Sequence, residues 1–424
     1  MRLRANSLLL VPLLLSILSA GCATAPKRTD VSYQADLRKV ALVSIDRIPE
    51  IHLQGFARGK GEGAVNEAKN VFGNCMVPAG SGGGADAGFI LVLQLAICTV
   101  ATPVGAVVGA ASAPNAEQAR ASENTMSAAV AAAAAQSAFV EEVRRAGTDR
   151  VPSVVVGEAV APVEQALSEE CHRSQGSGVD AVLAVEIVKV ETAGSGVNGP
   201  LQLTVTARAR LLRTGDCVAL LSREYQYMGP AFTLEQWSES DGARLRQALS
   251  SAYELLGAHI YDYILCFYPF PDHGPHAAGV LSSAFGLAPI YPRNRLTLTG
   301  SPFGEWTTVD SLQPTIRWEA FPRKSDIAAA PDDMARVRDV RYDLVIAREG
   351  NLAPEELIYR KEGLLEPVYT VERPLDPAKH YFWTVRARFE LDGRERITEW
   401  ATTVYSAREQ LVAPSRYGFR FQTP

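Results

Sequence analysis

Residues 201–211, LQLTVTARARL, alternate without a break: Leu201, Leu203, Val205, Ala207, Ala209 and Leu211 fall on one side, Gln202, Thr204, Thr206, Arg208 and Arg210 on the other. A strand reverses its side chains at every step, so a period of two over this length requires a strand with one buried and one wet face. Such a sheet is built most simply as an antiparallel meander. The neighbouring sequence supplies it: VDAVLAVEIVKVE (179–191) and CVALLSREYQY (217–227) read as the flanking strands, and RTGDC (213–217) as the turn between the second and third.

Upstream, KVALVSI (39–45) is an apolar, β-branched run that reads as a buried strand. The Ala- and Glu-rich stretch from Glu117 to Arg145 predicts one long helix stopping at Gly147, SVVVG (153–157) a short strand, and VAPVEQALSEECHR (160–173) an amphipathic helix. A closing helix from Leu234 to Cys266 places Leu245, Leu249, Leu256 and Ile260 on its inner face. Alternating strands and helices ending in a meander predict an α+β or α/β domain with a mixed sheet over residues 38–268.

Within that domain, Gly55, Gly59 and Gly63 recur every four residues, and so do Ala101, Gly105, Gly109 and Ala113. On helices these form small-residue stripes that permit close backbone approach, and the loop GSGGGADAG (80–88) separates them. An antiparallel helical hairpin is expected. Its second arm, FILVLQLAICTVATPVGAVVGAASA (89–113), carries no charge and is long enough to span a bilayer, yet its Gly- and Ala-rich half with Pro103 inserts poorly. The reading is a buried hairpin, with an oligomerising or membrane-inserting element and a single span as the alternatives.

At the start, Arg2 and Arg4 precede an apolar stretch from Leu8 to Leu18, then Ser19, Ala20, Gly21 and Cys22. This stretch resembles a bacterial lipoprotein signal, with Ser19 standing where Leu is more usual. The resemblance implies removal of residues 1–21, acylation of Cys22 and a tether over residues 22–37. The membrane then becomes a partner through the lipid anchor, and Ala23 implies release to the outer membrane, facing the periplasm. In an oxidising compartment, Cys75, Cys98, Cys171, Cys217 and Cys266 allow two bridges and one free thiol in fifteen arrangements. The preferred pairs are Cys75 with Cys98 and Cys171 with Cys217; five buried thiols is the alternative.

Residues 269–298 read as a Pro-rich linker, and beyond it the pattern turns all-β. QPTIRWEAF, VRYDLVIAR, PVYTVERPL, HYFWTVRARFEL and YGFRFQTP are strand-like. In the fourth, Tyr381, Trp383, Val385, Ala387 and Phe389 alternate with His380, Phe382, Thr384, Arg386 and Arg388, one set for a core and the other for water. Residues 299–424 resemble a fibronectin type III domain: Trp318 matches the second-strand Trp, Tyr342 and Leu344 the third strand, and Leu375 with Tyr381 the tyrosine corner. The insertion PRKSDIAAAPDDMARVRDV departs from that pattern and leaves room for a helix or a loop.

Few residues suggest chemistry. GKGEG lacks the order of a phosphate loop, and Glu62 would repel an anion. Cys266, Asp272, His273 and His276 cluster in a Pro-rich stretch but complete no zinc motif, so neither metal nor cofactor is expected. Tyr225, Tyr227, Phe232 and Trp237 read as core at a strand-to-helix corner, and Arg317, Arg341, Arg386 and Arg388 as a solvated sheet face. A net charge of −5 gives no field for nucleic acid. The functional expectation is a non-enzymatic binding or scaffold lipoprotein of the cell envelope, partnered by an envelope protein or by itself. The alternatives are an envelope hydrolase with its site between the two domains, and an oligomeric membrane-associated assembly built on the glycine-striped hairpin.

Overall fold

The computed structural model describes residues 31–56, 115–133, 135–148, 150, 152–157, 164–194, 199–272, 276–277, 283–293, 306–350, 353–403 and 418–424. A 3-10 turn, Ser32–Asp36, precedes β1 (Lys39–Ser44) and β2 (Glu50–Leu53). Helices α1 (Ala116–Ala132) and α2 (Ala135–Ala146), strand β3 (Ser153–Val156) and helix α3 (Glu164–Ser174) follow. The meander is β4 (Ala181–Gly194), β5 (Leu201–Arg213) and β6 (Ala219–Phe232), and α4 (Leu234–Tyr261) closes the unit.

The sheet order is β3-β1-β4-β5-β6, with β2 also beside β4. β1 runs parallel to β3 and β4, whereas β4, β5 and β6 are antiparallel, so the sheet is mixed. All six apolar residues of the alternating stretch are fully buried, packed under α1, α2 and α4 with Leu245, Leu249, Leu256 and Ile260. The opposite face is covered at its β1 end by α3, through Leu167 and Cys171. α4 approaches α2 so closely that a Cβ on Gly257 would lie 2.9 Å from the backbone of Glu142 and Val143.

Three expectations change here. The Ala-rich stretch is two helices rather than one, and the break turns α2 so that Gln136 meets a bulge in β4. Its amide accepts from Ile187 N at 2.9 Å and donates to Ile187 O at 3.0 Å and Arg47 O at 2.7 Å. The closing helix is interrupted by a kink at residues 239–242, whose backbone is not helical, and gives way at Asp262 to a buried π turn, Asp262–Cys266. Gly55 is not on a helix but in a bend with φ of 89°, where an added Cβ would collide with the backbone of Gly194. Gly59, Gly63, Gly105 and Gly109, and with them the expected hairpin, lie outside the described residues.

The second half begins with a short pair, β7 (His276–Ala277) and β8 (Ser283–Ala284), then β9 (Pro289–Tyr291), β10 (Thr307–Thr308) and β11 (Thr315–Trp318). The insertion forms two short helices, α5 (Lys324–Ala329) and α6 (Pro331–Arg336). The remaining strands are β12 (Arg338–Gly350), β13 (Ala353–Leu364), β14 (Val368–Thr370), β15 (His380–Leu391), β16 (Arg394–Ile397) and β17 (Phe419–Gln422). A larger sheet, β10-β17-β15-β12-β13 with β16 beside β15, faces a smaller one, β14-β11-β9. Ile316, Trp318 and Tyr369 of the smaller sheet share a core with Leu344, Ile346, Trp383 and Val385 of the larger.

Tyr381 Oη accepts from Asp376 N at 3.0 Å, tying the loop before β15 to the strand. The stretch read as a linker contributes to this core through Phe270 and Leu287, and Tyr268 just before it does the same. Arg323, fully buried, fastens it: the guanidinium bonds Asp326 at 2.7 and 2.8 Å, Gly286 O and Asp272 O at 2.8 Å, and lies over the Phe270 ring. Thus the described residues form a mixed α+β structure with several sheets and two main cores.

Candidate functional site

The polar face of β15 is not wet. Phe382, Thr384 and Arg386 are each no more than 5% exposed: Trp306 and Arg420 lie against Phe382, residues 398–403 cross at Thr384, and the first half meets Arg386 through Asp262. Arg386 and Arg388, two apart, point the same way. Asp343 is the register partner of Arg386 on β12. Glu395 lies on β16, Asp262 opens the π turn, and Arg150 sits between α2 and β3.

These six side chains close a ring of alternating charge. Arg150 lies 2.8 Å from Asp262 and 2.6 Å from Glu395. Glu395 lies 2.6 Å from Arg388, and Arg388 lies 2.9 Å from Asp343. Asp343 lies 2.9 Å from Arg386, which returns to Asp262 at 2.7 Å. Two of the links, Arg150 to Glu395 and Asp262 to Arg386, cross the seam between the halves. The ring is buried at Asp343, Asp262 and Arg386 and opens toward solvent at Glu395. Aromatic faces back it: the Tyr261 ring lies 4.4 Å from the Arg150 guanidinium, and Trp400 4.6 Å from that of Arg386.

Burial alone would raise the Asp262 carboxyl, but Arg386, Arg150 and Arg388 outweigh it and hold the group well below the usual carboxylate range. Asp343 is lowered in the same way, by Arg386 and Arg388 against its own burial. Both acids therefore stay ionised, and every charge of the ring is matched. Beside them, burial pushes the Cys266 thiol up to about 12, so it stays protonated while it accepts from Arg150 Nη2 at 3.4 Å.

His259 stands one helical turn before Asp262, its ring stacked on Tyr263 at 5.6 Å and edge-on to Tyr225 at 5.5 Å. Its Nε2 is shut off from solvent with no hydrogen-bond partner. Burial first, then the positive charge of Arg386, lowers its pKa to about 4, so the imidazole is neutral. The unfolded chain takes up this proton near 6.5 and the folded one only near 4, so stability is complete above that window and falls as pH drops through it. Urea midpoints measured from pH 7 to pH 4 are expected to decline, and to decline less in His259→Gln. Midpoints that rise toward acid would contradict this assignment.

Cys171 and Cys217 are disulfide-bonded with Cα atoms 5.9 Å apart, and Cys266 is a free, buried cysteine. Cys22, Cys75, Cys98, the GKGEG stretch and His273 lie outside the described residues. Asp272 serves through its backbone carbonyl, bound by Arg323. In the aromatic cluster, Trp237 donates to Leu201 O at 2.8 Å and meets Phe232 edge-on at 5.0 Å, while Tyr225 is buried core. Arg317 and Arg341 are exposed as expected; Arg386 and Arg388 are not, and joining them to Asp262 and Arg150 is what the sequence left unseen.

One groove of about 640 Å³ crosses the polar face of the first sheet past Arg47, Glu50, His52, Lys189, Arg208 and Glu224. Its cations are already matched, Arg47 to Glu50 at 2.6 Å, Arg208 to Glu224 at 2.6 Å and Lys189 to Glu191 at 2.7 Å.

No family model matches this chain, and no curated protein does. Among solved structures it is similar to a Xanthomonas campestris protein described by the family model DUF330, at 19% identity and a TM-score of 0.20. That alignment covers 30% of this chain and 58% of the other, so the chain spans little more than half of its relative's length. A superposition of this quality supports no argument about fold or activity.

Proposed function

We propose that the protein is a lipid-anchored, periplasm-facing scaffold of the outer membrane whose two halves are locked to one another at a seam and bind rather than catalyse. The observation that carries the reading is the ring. At the junction, where an enzyme with its site between the domains would hold its acid and base, the carboxylates and guanidiniums are committed to one another. The second half is taken as fibronectin type III-like, supported by Trp318 in the core, by the Tyr381 hydroxyl on Asp376 N, and by two facing sheets. Such modules bind more often than they catalyse, an argument by analogy. The outer side of its smaller sheet offers a surface for an envelope protein: Ile290 and Val368, 48% and 38% exposed, flank Arg317.

The anchor is tested by intact-mass analysis of native protein with fractionation of a Cys22→Ser variant. Acylated Cys22 at the mature N-terminus and loss of the variant from the membrane fraction are expected. A mature end elsewhere with no acyl adduct would contradict the reading. Crosslinking in intact envelopes is expected to capture one defined partner, and Arg317→Glu to abolish that product while the protein stays folded.

A further inference from the structure

The ring is not the only thing spanning the seam; the 3-10 turn Ser32–Asp36 lies across it. Gln34, fully buried, bonds both halves at once. Its Nε2 donates to Ile264 O at 2.8 Å, in the π turn, and Tyr33 Oη donates to the same carbonyl at 3.1 Å. From the other side, Arg396 Nη1 of β16 donates to Gln34 Oε1 at 2.6 Å, and Arg394 Nη1 donates to Gln34 O and, at 3.0 Å, to Leu37 O.

The two arginines have an uneven position. Among the described residues neither makes an ion pair with a carboxylate, and the acceptors just named are their hydrogen-bond partners. Burial lowers the pKa of both, and Arg38 adds to the effect at Arg394. Asp36 and Asp180 attract Arg394, and Asp392 attracts Arg396, only from beyond ion-pair distance, so the hydrogen bonds of the turn are what fix both guanidiniums, and removing the turn leaves their donors needing water. Water reaches them when β16 leaves the segment that follows the π turn, to which it is joined by Tyr268 N donating to Ile397 O at 2.7 Å. Glu395, the solvent-side member of the ring, is on that same strand.

We infer that the turn is a detachable strap: docked, it keeps the seam closed, and released, it frees β16 and lets the two halves separate. Force on the chain before it would be the trigger. Val31 is nine residues past Cys22, a reach of about 30 Å when extended, so an anchored protein pulled from its far half transmits load to the strap before any other described element. The trigger rests on the lipoprotein reading, but the strap does not.

The test uses the full chain in its unacylated form, which keeps its outcome independent of whether Cys22 is acylated. Hydrogen exchange and small-angle scattering are compared for wild type and Gln34→Ala. Exchange in residues 262–266 and 394–398 is expected to speed up about tenfold, the equivalent of roughly 1.4 kcal/mol, while residues 201–211 stay protected and the maximum dimension grows. Unchanged exchange at the seam would overturn the proposal, and so would faster exchange with an unchanged scattering profile, since the turn would then merely fray. Should Gln34→Ala not fold, Arg396→Gln removes a single bond of the strap and carries the same expectations at smaller size.

Discussion

Asp262→Ala is expected to lower unfolding stability by about 3–5 kcal/mol, measured as a shift of the urea midpoint at pH 7. The carboxylate is buried between Arg150 and Arg386 and held ionised by them. Its loss leaves two desolvated cations facing each other across the seam. The pair itself need not be worth that much, because ion pairs in an interior give back in desolvation much of what they gain. Replacing Asp262 and Arg386 together with apolar residues should therefore cost less than Asp262→Ala alone. A single variant within about 1 kcal/mol of wild type would mean that water already solvates the ring.

The second large effect concerns the disulfide. Cys171 and Cys217 are 46 residues apart, and a closed loop of that length restricts the unfolded chain by about 4 kcal/mol in the entropy treatment. The native side sharpens the expectation: α3 is the one described helix on its face of the sheet, and among the described residues Leu167 and Cys171 itself are its members of the apolar core. Replacing both cysteines with alanine, or adding reductant to the wild type, is expected to cost about 3–4 kcal/mol and to raise exchange first in residues 164–174. If neither treatment moves the midpoint, α3 is held by something other than the bridge.

Local pattern carried much of this fold in the sequence. The alternation over 201–211 marked the six core residues of β5, though Thr204 on the other face is buried as well, and the spacing of Leu245, Leu249, Leu256 and Ile260 marked the inner face of α4. The same reasoning misjudged β15. Alternation separates polar from apolar, but it does not say whether the polar side meets water or charges brought from elsewhere. Arg386 meets Asp262 across 124 positions and Arg150 meets Glu395 across 245, and no window along the chain contains either pair. The strap was hidden for a similar reason: SYQAD reads as tether until Arg394 and Arg396 arrive from the far end of the chain. Just past the break between α1 and α2, Gln136 meets a bulge in β4, again a partner that Ala-rich sequence does not announce.

Calorimetry tests most directly whether the ring makes the two halves one cooperative unit. The wild type is expected to unfold in a single transition whose calorimetric and van't Hoff enthalpies agree, and Asp262→Ala to split it into two. Two resolved transitions in the wild type, neither displaced by Asp262→Ala, would contradict it.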